Sequence, residues 1–100
     1  MRLSEFEIET IKTLASRHFG KKVQVFLFGS RTSEQQRGGD IDLFILDPNG
    51  KHLNCRAKID FITDLILLTG EQKIDVVLGN RGVINPALFK AIIRTGIQLC

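Results

Sequence analysis

Two short apolar segments on either side of a polar loop are the strongest constraint on the fold of this 100-residue chain. The first, Phe26-Leu27-Phe28, runs into Gly29-Ser30-Arg31, and the second begins as Asp40-Ile41-Asp42-Leu43. Aromatic and β-branched residues are typical of strands, and a glycine followed by serine is typical of a turn. The pattern predicts a strand, a polar loop and a second strand that begins with two carboxylates.

The two carboxylates of the second predicted strand point to one metal ion. Residues two apart in a strand share a face, so Asp40 and Asp42 project together with Cα atoms roughly 6.5 Å apart. Like charges at this spacing repel, and a bound cation or a retained proton relieves the repulsion. Mg²⁺ prefers oxygen ligands and readily bridges carboxylates to phosphate oxygens. We therefore expect Asp40 and Asp42 to bind Mg²⁺.

The Gly-Ser turn has the features of a phosphate-binding loop. Gly29 has no Cβ, which permits a sharp turn and lets backbone N–H groups approach an anion. Ser30 is placed to cap a short helix, and Arg31 adds a guanidinium that matches phosphate geometry. We expect Gly29, Ser30 and Arg31 to bind the phosphates of a nucleoside triphosphate. The alternative is an ordinary turn, with aspartates that only solubilise the mouth of a strand.

A third acidic residue, Asp75, interrupts the apolar segment Ile74-Asp75-Val76-Val77-Leu78. Alternation puts Ile74, Val76 and Leu78 on one face and Asp75 on the other. If this strand lies beside the strand of Asp42, Asp75 completes an acidic triad. The alternative is a salt bridge from Asp75 to Lys73 or Arg81, which would be favoured if the first motif were absent.

Three segments of the chain together resemble the minimal nucleotidyltransferases of the DNA polymerase beta superfamily. They are Phe28-Gly29-Ser30-Arg31, Gly39-Asp40-Ile41-Asp42-Leu43-Phe44-Ile45 and Ile74-Asp75-Val76-Val77. The resemblance implies an α/β (α+β) fold with a mixed β-sheet flanked by helices. It also implies transfer of a nucleoside monophosphate, AMP from ATP, to a hydroxyl group. Asp40, Asp42 and Asp75 would be catalytic and would bind two Mg²⁺ ions.

The resemblance also implies a protein partner. Proteins of this size in that branch are often antitoxins encoded beside a HEPN-domain ribonuclease toxin, and some inactivate the toxin by adding AMP to a tyrosine. A chain of this length leaves little room for a second domain that binds an acceptor, which agrees with a partner that presents the hydroxyl. We expect a hetero-oligomer with such a toxin.

One departure from the family pattern leaves other functions open. Members of this branch usually carry Arg-Gly a few residues after the Gly-Ser, where this chain has Ser33-Glu34, and its Arg37-Gly38 comes later. A glutamate near phosphate would weaken catalysis, so one alternative is an antitoxin that neutralises its partner by binding alone. Another is a subunit of a small-molecule nucleotidyltransferase, similar to antibiotic-modifying enzymes.

Composition narrows the classes of protein to which the chain could belong. We expect residues 1–100 to form a single domain, because 43% hydrophobic residues support a packed core. No apolar run approaches the length of a membrane span and the N-terminus lacks a signal peptide's apolar centre, so we expect a cytoplasmic protein. The net charge of +3 is spread along the chain, which argues against strong nucleic-acid binding. Cys55 and Cys100 are far apart and fit no zinc motif, so we expect structural thiols and no disulfide.

Hydrophobic periodicity predicts the element order α-β-β-α-β-α-β. Ser4 and Glu7 form a capping box for a helix that Gly20 ends. A turn at 47–50 precedes a second helix from about His52 to Leu68. The last helix begins at Asn85-Pro86 and ends at Gly96, and residues 97–99 form a terminal strand.

Overall fold

The computed structural model describes residues 3–29, 41–47, 54–79 and 86–100. These residues form three helices and four strands in the predicted order. The helices are α1 (Glu5–Phe19), α2 (Cys55–Thr69) and α3 (Pro86–Thr95). The strands are β1 (Gln24–Phe28), β2 (Ile41–Leu46), β3 (Ile74–Gly79) and β4 (Ile97–Gln98).

Helix α1 begins and ends where its capping residues predict. The Ser4 hydroxyl accepts a hydrogen bond from the Glu7 N–H at 3.1 Å, and the Glu7 carboxylate accepts one from the Ser4 N–H at 3.0 Å. This capping box satisfies two N–H groups that the helix would otherwise leave unpaired. The Gly20 N–H closes the other end on the Ser16 carbonyl.

Helix α2 begins three residues later than the predicted start at His52. Asn54 is the N-cap, and its side-chain oxygen accepts a hydrogen bond from the Ala57 N–H at 2.9 Å. Asparagine competes well for this position because its short side chain reaches the N–H three residues on. Gly70 ends the helix, as predicted. Of the predicted turn at 47–50, only Asp47 lies among the described residues, and His52 lies outside them.

The four strands form one mixed sheet in the order β3-β2-β1-β4. Strand β1 pairs antiparallel with β2 and with β4, whereas β2 and β3 run parallel. Helix α2 connects the two parallel strands, as a parallel pair requires a crossover. The predicted fold class, a mixed sheet flanked by helices, is confirmed.

The two faces of the sheet are covered to different extents. Helices α1 and α2 pack on one face and form the larger core with alternate residues of β1, β2 and β3, among them Leu27, Leu43 and Val76. Helix α3 covers part of the opposite face with a smaller cluster. Its buried members are Phe26, Phe44, Leu46 and Ile92.

Helices α1 and α2 also share a polar contact. The His18 Nε2 lies 2.8 Å from Asp64 Oδ2, and the His18 ring meets Phe61 edge-on at a centroid distance of 6.4 Å. His18 lies in the last turn of α1, where the helix dipole favours a basic residue. The structure adds that His18 joins α1 to α2.

Two predictions drawn from composition, on the cysteines and on membrane-spanning segments, can be compared with the described residues. Cys55 and Cys100 form no disulfide, and both are exposed, so neither is a buried structural thiol. Cys100 is exposed as a residue, but partial burial of its thiol raises its pKa and so disfavours the thiolate. None of the helices in the described segments has the length and apolar character needed to cross a bilayer.

Candidate active site

Asp42 and Asp75 lie side by side at one end of the sheet face that α3 partly covers. The parallel register pairs Asp42 with Asp75 directly, and the antiparallel register pairs Asp42 with Phe28. Residues opposite one another in a sheet share a face, and neighbouring strands lie about 4.8 Å apart. Phe28, Asp42 and Asp75 therefore form one row across three strands, which we call the acid row.

The register confirms the arrangement on which the predicted acidic triad depends. The strand of Asp75 does lie beside the strand of Asp42, so two residues 33 positions apart in the sequence become neighbours. Asp42 is half-buried and Asp75 is exposed. Within the described segments Asp75 makes no ion pair, so the alternative of a salt bridge to Lys73 is not observed there.

Gly29 provides the space that the Asp42 carboxylate occupies. Its φ is +78°, in the left-handed region that favours glycine. A Cβ at this position would overlap Oδ2 of Asp42 and would lie 3.1 Å from its Cγ. The turn glycine and the carboxylate are therefore packed against each other, and the site has no room for any larger residue at position 29.

A packed apolar layer supports the acid row from the side. The next row of the sheet consists of Phe26, Phe44 and Val77, and Phe89 of α3 meets Phe44 at a ring centroid distance of 6.4 Å. These contacts fix the backbone of β2 immediately after Asp42. Phe28 was not predicted to be part of the site, although alternation along β1 puts it on the same face as Phe26.

The remaining predicted site residues lie outside the described segments. They are Ser30, Arg31 and Asp40, together with Ser33-Glu34 and Arg37-Gly38 of the same loop. Among the described residues no three His, Cys, Asp or Glu side chains form a cluster that could hold a metal ion. The structure therefore brings together two of the three predicted acids, and the position of Asp40 remains a prediction.

The described part of the site has the chemistry that Mg²⁺ requires. Asp42 and Asp75 supply hard oxygen donors from adjacent strands, and Asp75 is accessible from solvent. Because Gly29 has no Cβ, the Asp42 carboxylate occupies the space beside it and packs against the turn. Two like charges at this spacing favour a cation between them. The residues present thus supply two of the oxygen donors that a divalent metal ion would need.

Comparison with known families agrees with this geometry. The sequence profile of the family described as "Polymerase beta, Nucleotidyltransferase" matches residues 9–100. The match includes both described acids and every strand of the sheet. The chain belongs to this nucleotidyltransferase family.

Two solved structures have a similar fold. One is a toxin–antitoxin crystallised with AMP-PNP, with 23% sequence identity and a TM-score of 0.70 over 93% of this chain and 72% of that chain. The other is a mutant of the toxin–antitoxin MntA-HpeT, with 22% identity and a TM-score of 0.69 over 93% of this chain and 71% of that chain. At this level of identity the likeness establishes the fold. A search of curated proteins gave no significant match.

Proposed function

We propose that this chain is a Mg²⁺-dependent nucleotidyltransferase that transfers AMP from ATP to a hydroxyl group of a partner protein. In this proposal it acts in the cytoplasm as the antitoxin of a toxin–antitoxin pair, with a HEPN-domain toxin as its partner in a hetero-oligomer. The proposal rests above all on the in-register pairing of Asp42 with Asp75, next to Gly29, in a member of the nucleotidyltransferase family.

The two structural neighbours support the proposals of a nucleotide substrate and of a protein partner. One was crystallised with AMP-PNP, a non-hydrolysable analogue of ATP, and both are toxin–antitoxin complexes. The MntA-HpeT mutant carries two aspartate-to-glutamate substitutions two positions apart. Asp40 and Asp42 have the same spacing in this chain. We infer that Asp40 and Asp42, together with Asp75, form the metal and catalytic site.

In the proposed reaction the acceptor hydroxyl attacks the α-phosphorus in line with the departing pyrophosphate. The new bond joins the acceptor oxygen to the α-phosphorus, and the bond from the α-phosphorus to the bridging oxygen breaks. We assign to Asp75 the role of accepting the proton of the hydroxyl, and its exposure to solvent in the acid row supports this assignment. Gly29, Ser30 and Arg31 would bind the β- and γ-phosphates and orient the leaving group.

Asp40, Asp42 and Asp75 would hold the metal. When bound there, Mg²⁺ would neutralise phosphate charge and make the acceptor hydroxyl easier to deprotonate. The contribution of the chain itself is to fix the carboxylates before substrate binds. Gly29 and the Phe26–Phe44–Val77 row do this for Asp42, because one makes room for its carboxylate and the other anchors its strand.

The test is a transfer assay with ATP labelled at the α-phosphate, Mg²⁺ and the protein encoded next to this chain. We expect label to appear on the partner, and label at the γ-phosphate to remain off it. Asp42→Asn should reduce transfer by about a hundredfold or more, because a group that stabilises the transition-state charge is removed. The control is Asp60→Asn, which alters an exposed carboxylate on α2 across the sheet.

The same assay distinguishes the binding-only antitoxin, which Ser33-Glu34 favours. In that case the chain would neutralise its partner although no label is transferred to the partner. The Asp42→Asn variant would then neutralise the partner as well as the wild type does. Label on a small hydroxylated acceptor instead of on protein would favour the small-molecule transferase. Transfer that is unchanged in Asp42→Asn would contradict the assignment of the acids.

A further inference from the structure

The charges of α1 are divided between its two halves. Glu5, Glu7 and Glu9 lie in the N-terminal half, whereas Arg17 and His18 lie in the last turn. The helix dipole favours acids in the first turn and bases in the last, and its effect fades beyond them. Glu9 lies beyond the first turn, so the dipole does not account for its sign.

Glu9, Thr13 and Arg17 form an exposed stripe along α1. They follow one another at intervals of four residues, which places them on one side of a helix. All three are exposed, and the buried residues Ile11 and Ala15 lie on the opposite side. Arg17 makes no ion pair within the described segments. Glu9 makes only a 3.7 Å contact with Lys12, and an exposed pair of this kind contributes little.

Apolar side chains adjoin this stripe. Phe6 of α1 is 60% exposed, and Leu68 of α2 is 55% exposed. A groove of about 200 Å³ runs along α1 beside Leu68, and Phe6, Thr10 and Thr13 contribute to its walls. Exposed apolar surface of this kind, bordered by charges, usually marks an interface.

The stripe is complementary to itself about Thr13. Glu9 and Arg17 are equally distant from Thr13 along the helix. If two copies of α1 cross antiparallel at Thr13, Glu9 of each copy faces Arg17 of the other. Phe6 then faces Gly20 at the end of the second helix, and this residue has no side chain. A two-fold axis needs this kind of self-complementary surface.

We propose that α1 is a dimer interface at which a second copy of this chain packs antiparallel around Thr13. The helix is about 22 Å long, so the contact is smaller than that of a permanent dimer. We expect weak association with a dissociation constant in the micromolar range or above. The interface lies on the helix layer that covers the other face of the sheet from the acid row, so dimerisation leaves the active site accessible.

Charge reversal tests this proposal by sedimentation equilibrium between about 5 and about 500 µM protein, the range in which a small interface dissociates. Glu9→Arg and Arg17→Glu should each weaken the dimer about tenfold, because each replaces two symmetric attractions by repulsions. The double variant Glu9→Arg/Arg17→Glu should restore it. Lys90→Glu is the matched control, with the same change in net charge as Arg17→Glu but on α3.

Disulfide trapping tests the position of the axis. In a Cys55→Ser/Cys100→Ser background, Thr13→Cys should form a covalent dimer on mild oxidation, because only a residue at the axis meets itself. Lys90→Cys is the control and should remain monomeric. A wild-type chain that stays monomeric throughout the concentration range contradicts the proposal. So does a double charge reversal that fails to restore association, or Thr13→Cys that cross-links no faster than Lys90→Cys.

Discussion

At the scale of single residues, the contact between Gly29 and Asp42 links the backbone turn to the chemistry. The carboxylate of Asp42 lies where a side chain at position 29 would be, and the left-handed φ of Gly29 makes that approach possible. Because the two features occur at one residue, a substitution there affects the free energy of unfolding and the site together. A matched glycine elsewhere in the chain separates the two effects.

Gly29→Ala should lower stability by about 1–3 kcal/mol through backbone strain and should weaken binding of Mg²⁺ and ATP. Gly70→Ala has comparable strain, since the φ of Gly70 is +100°, but its Cβ would meet nothing within 4 Å. Urea unfolding measures the stability of both variants, and isothermal titration with Mg²⁺ and ATP measures the affinity. The displaced carboxylate should cost Gly29→Ala roughly tenfold or more in affinity.

Gly70→Ala should bind nucleotide like the wild type once it is folded. Equal losses of affinity in the two variants would mean that strain alone is responsible. The contact with Asp42 would then have no part in binding.

The acids themselves show how far the sequence predicts the site. Asp42 was identified from its two-residue spacing to Asp40 at the start of a strand, and Asp75 because it interrupts an apolar run. Their pairing was conditional on the order of the strands, which no local pattern contains. Contacts between residues 33 apart depend on how α2 returns the chain to the sheet, and that is a property of the whole fold.

At the scale of elements, α2 shows why helix starts are harder to predict than helix ends. Gly70 ends the helix as expected, since glycine is a strong stop signal. The start was predicted at about His52, whereas Asn54 is the N-cap. Apolar spacing does not fix the first residue of a helix, and the side chain that caps it does. Leu68, the predicted last residue of the helix, is 55% exposed.

Asn54→Ala should destabilise the protein by about 1 kcal/mol, because the N–H of Ala57 loses its side-chain acceptor. For a domain of this size the melting temperature should fall by roughly 4–8 °C. Thr63→Ala is the control, an exposed substitution in the middle of the same helix. Thermal unfolding followed by circular dichroism gives both values. A fall in the control as large as in Asn54→Ala would show that the cap is not the cause.

At the scale of the whole molecule, the unequal cores predict unequal local stability. The core under α1 and α2 includes Phe61 and Leu65, which are 0% and 1% exposed. Helix α3 buries only Ile92 within its described residues, and Leu88 and Ile93 are 43% and 45% exposed. Elements with few buried contacts open locally before the protein unfolds. Helix α3 is therefore expected to open before α1.

Native-state hydrogen exchange checks this order. Amides of α3 should exchange with a lower free energy of opening than those of α1, by about 1 kcal/mol or more. Phe61→Ala should cost about 3–5 kcal/mol of global stability, and Phe89→Ala less, since Phe89 is only half-buried. Equal protection of α1 and α3 would contradict the interpretation of the two cores.

The two faces of the sheet have a consequence for how such a chain tolerates change. One face carries the larger core and the other holds the carboxylates of Asp42 and Asp75, and only the strands of the sheet belong to both. Substitutions on the outward side of the two large helices can therefore accumulate, and with them new binding preferences, while the spacing of the acids is preserved. Proteins with this fold can therefore change their binding partners during evolution while the geometry of the acids stays the same.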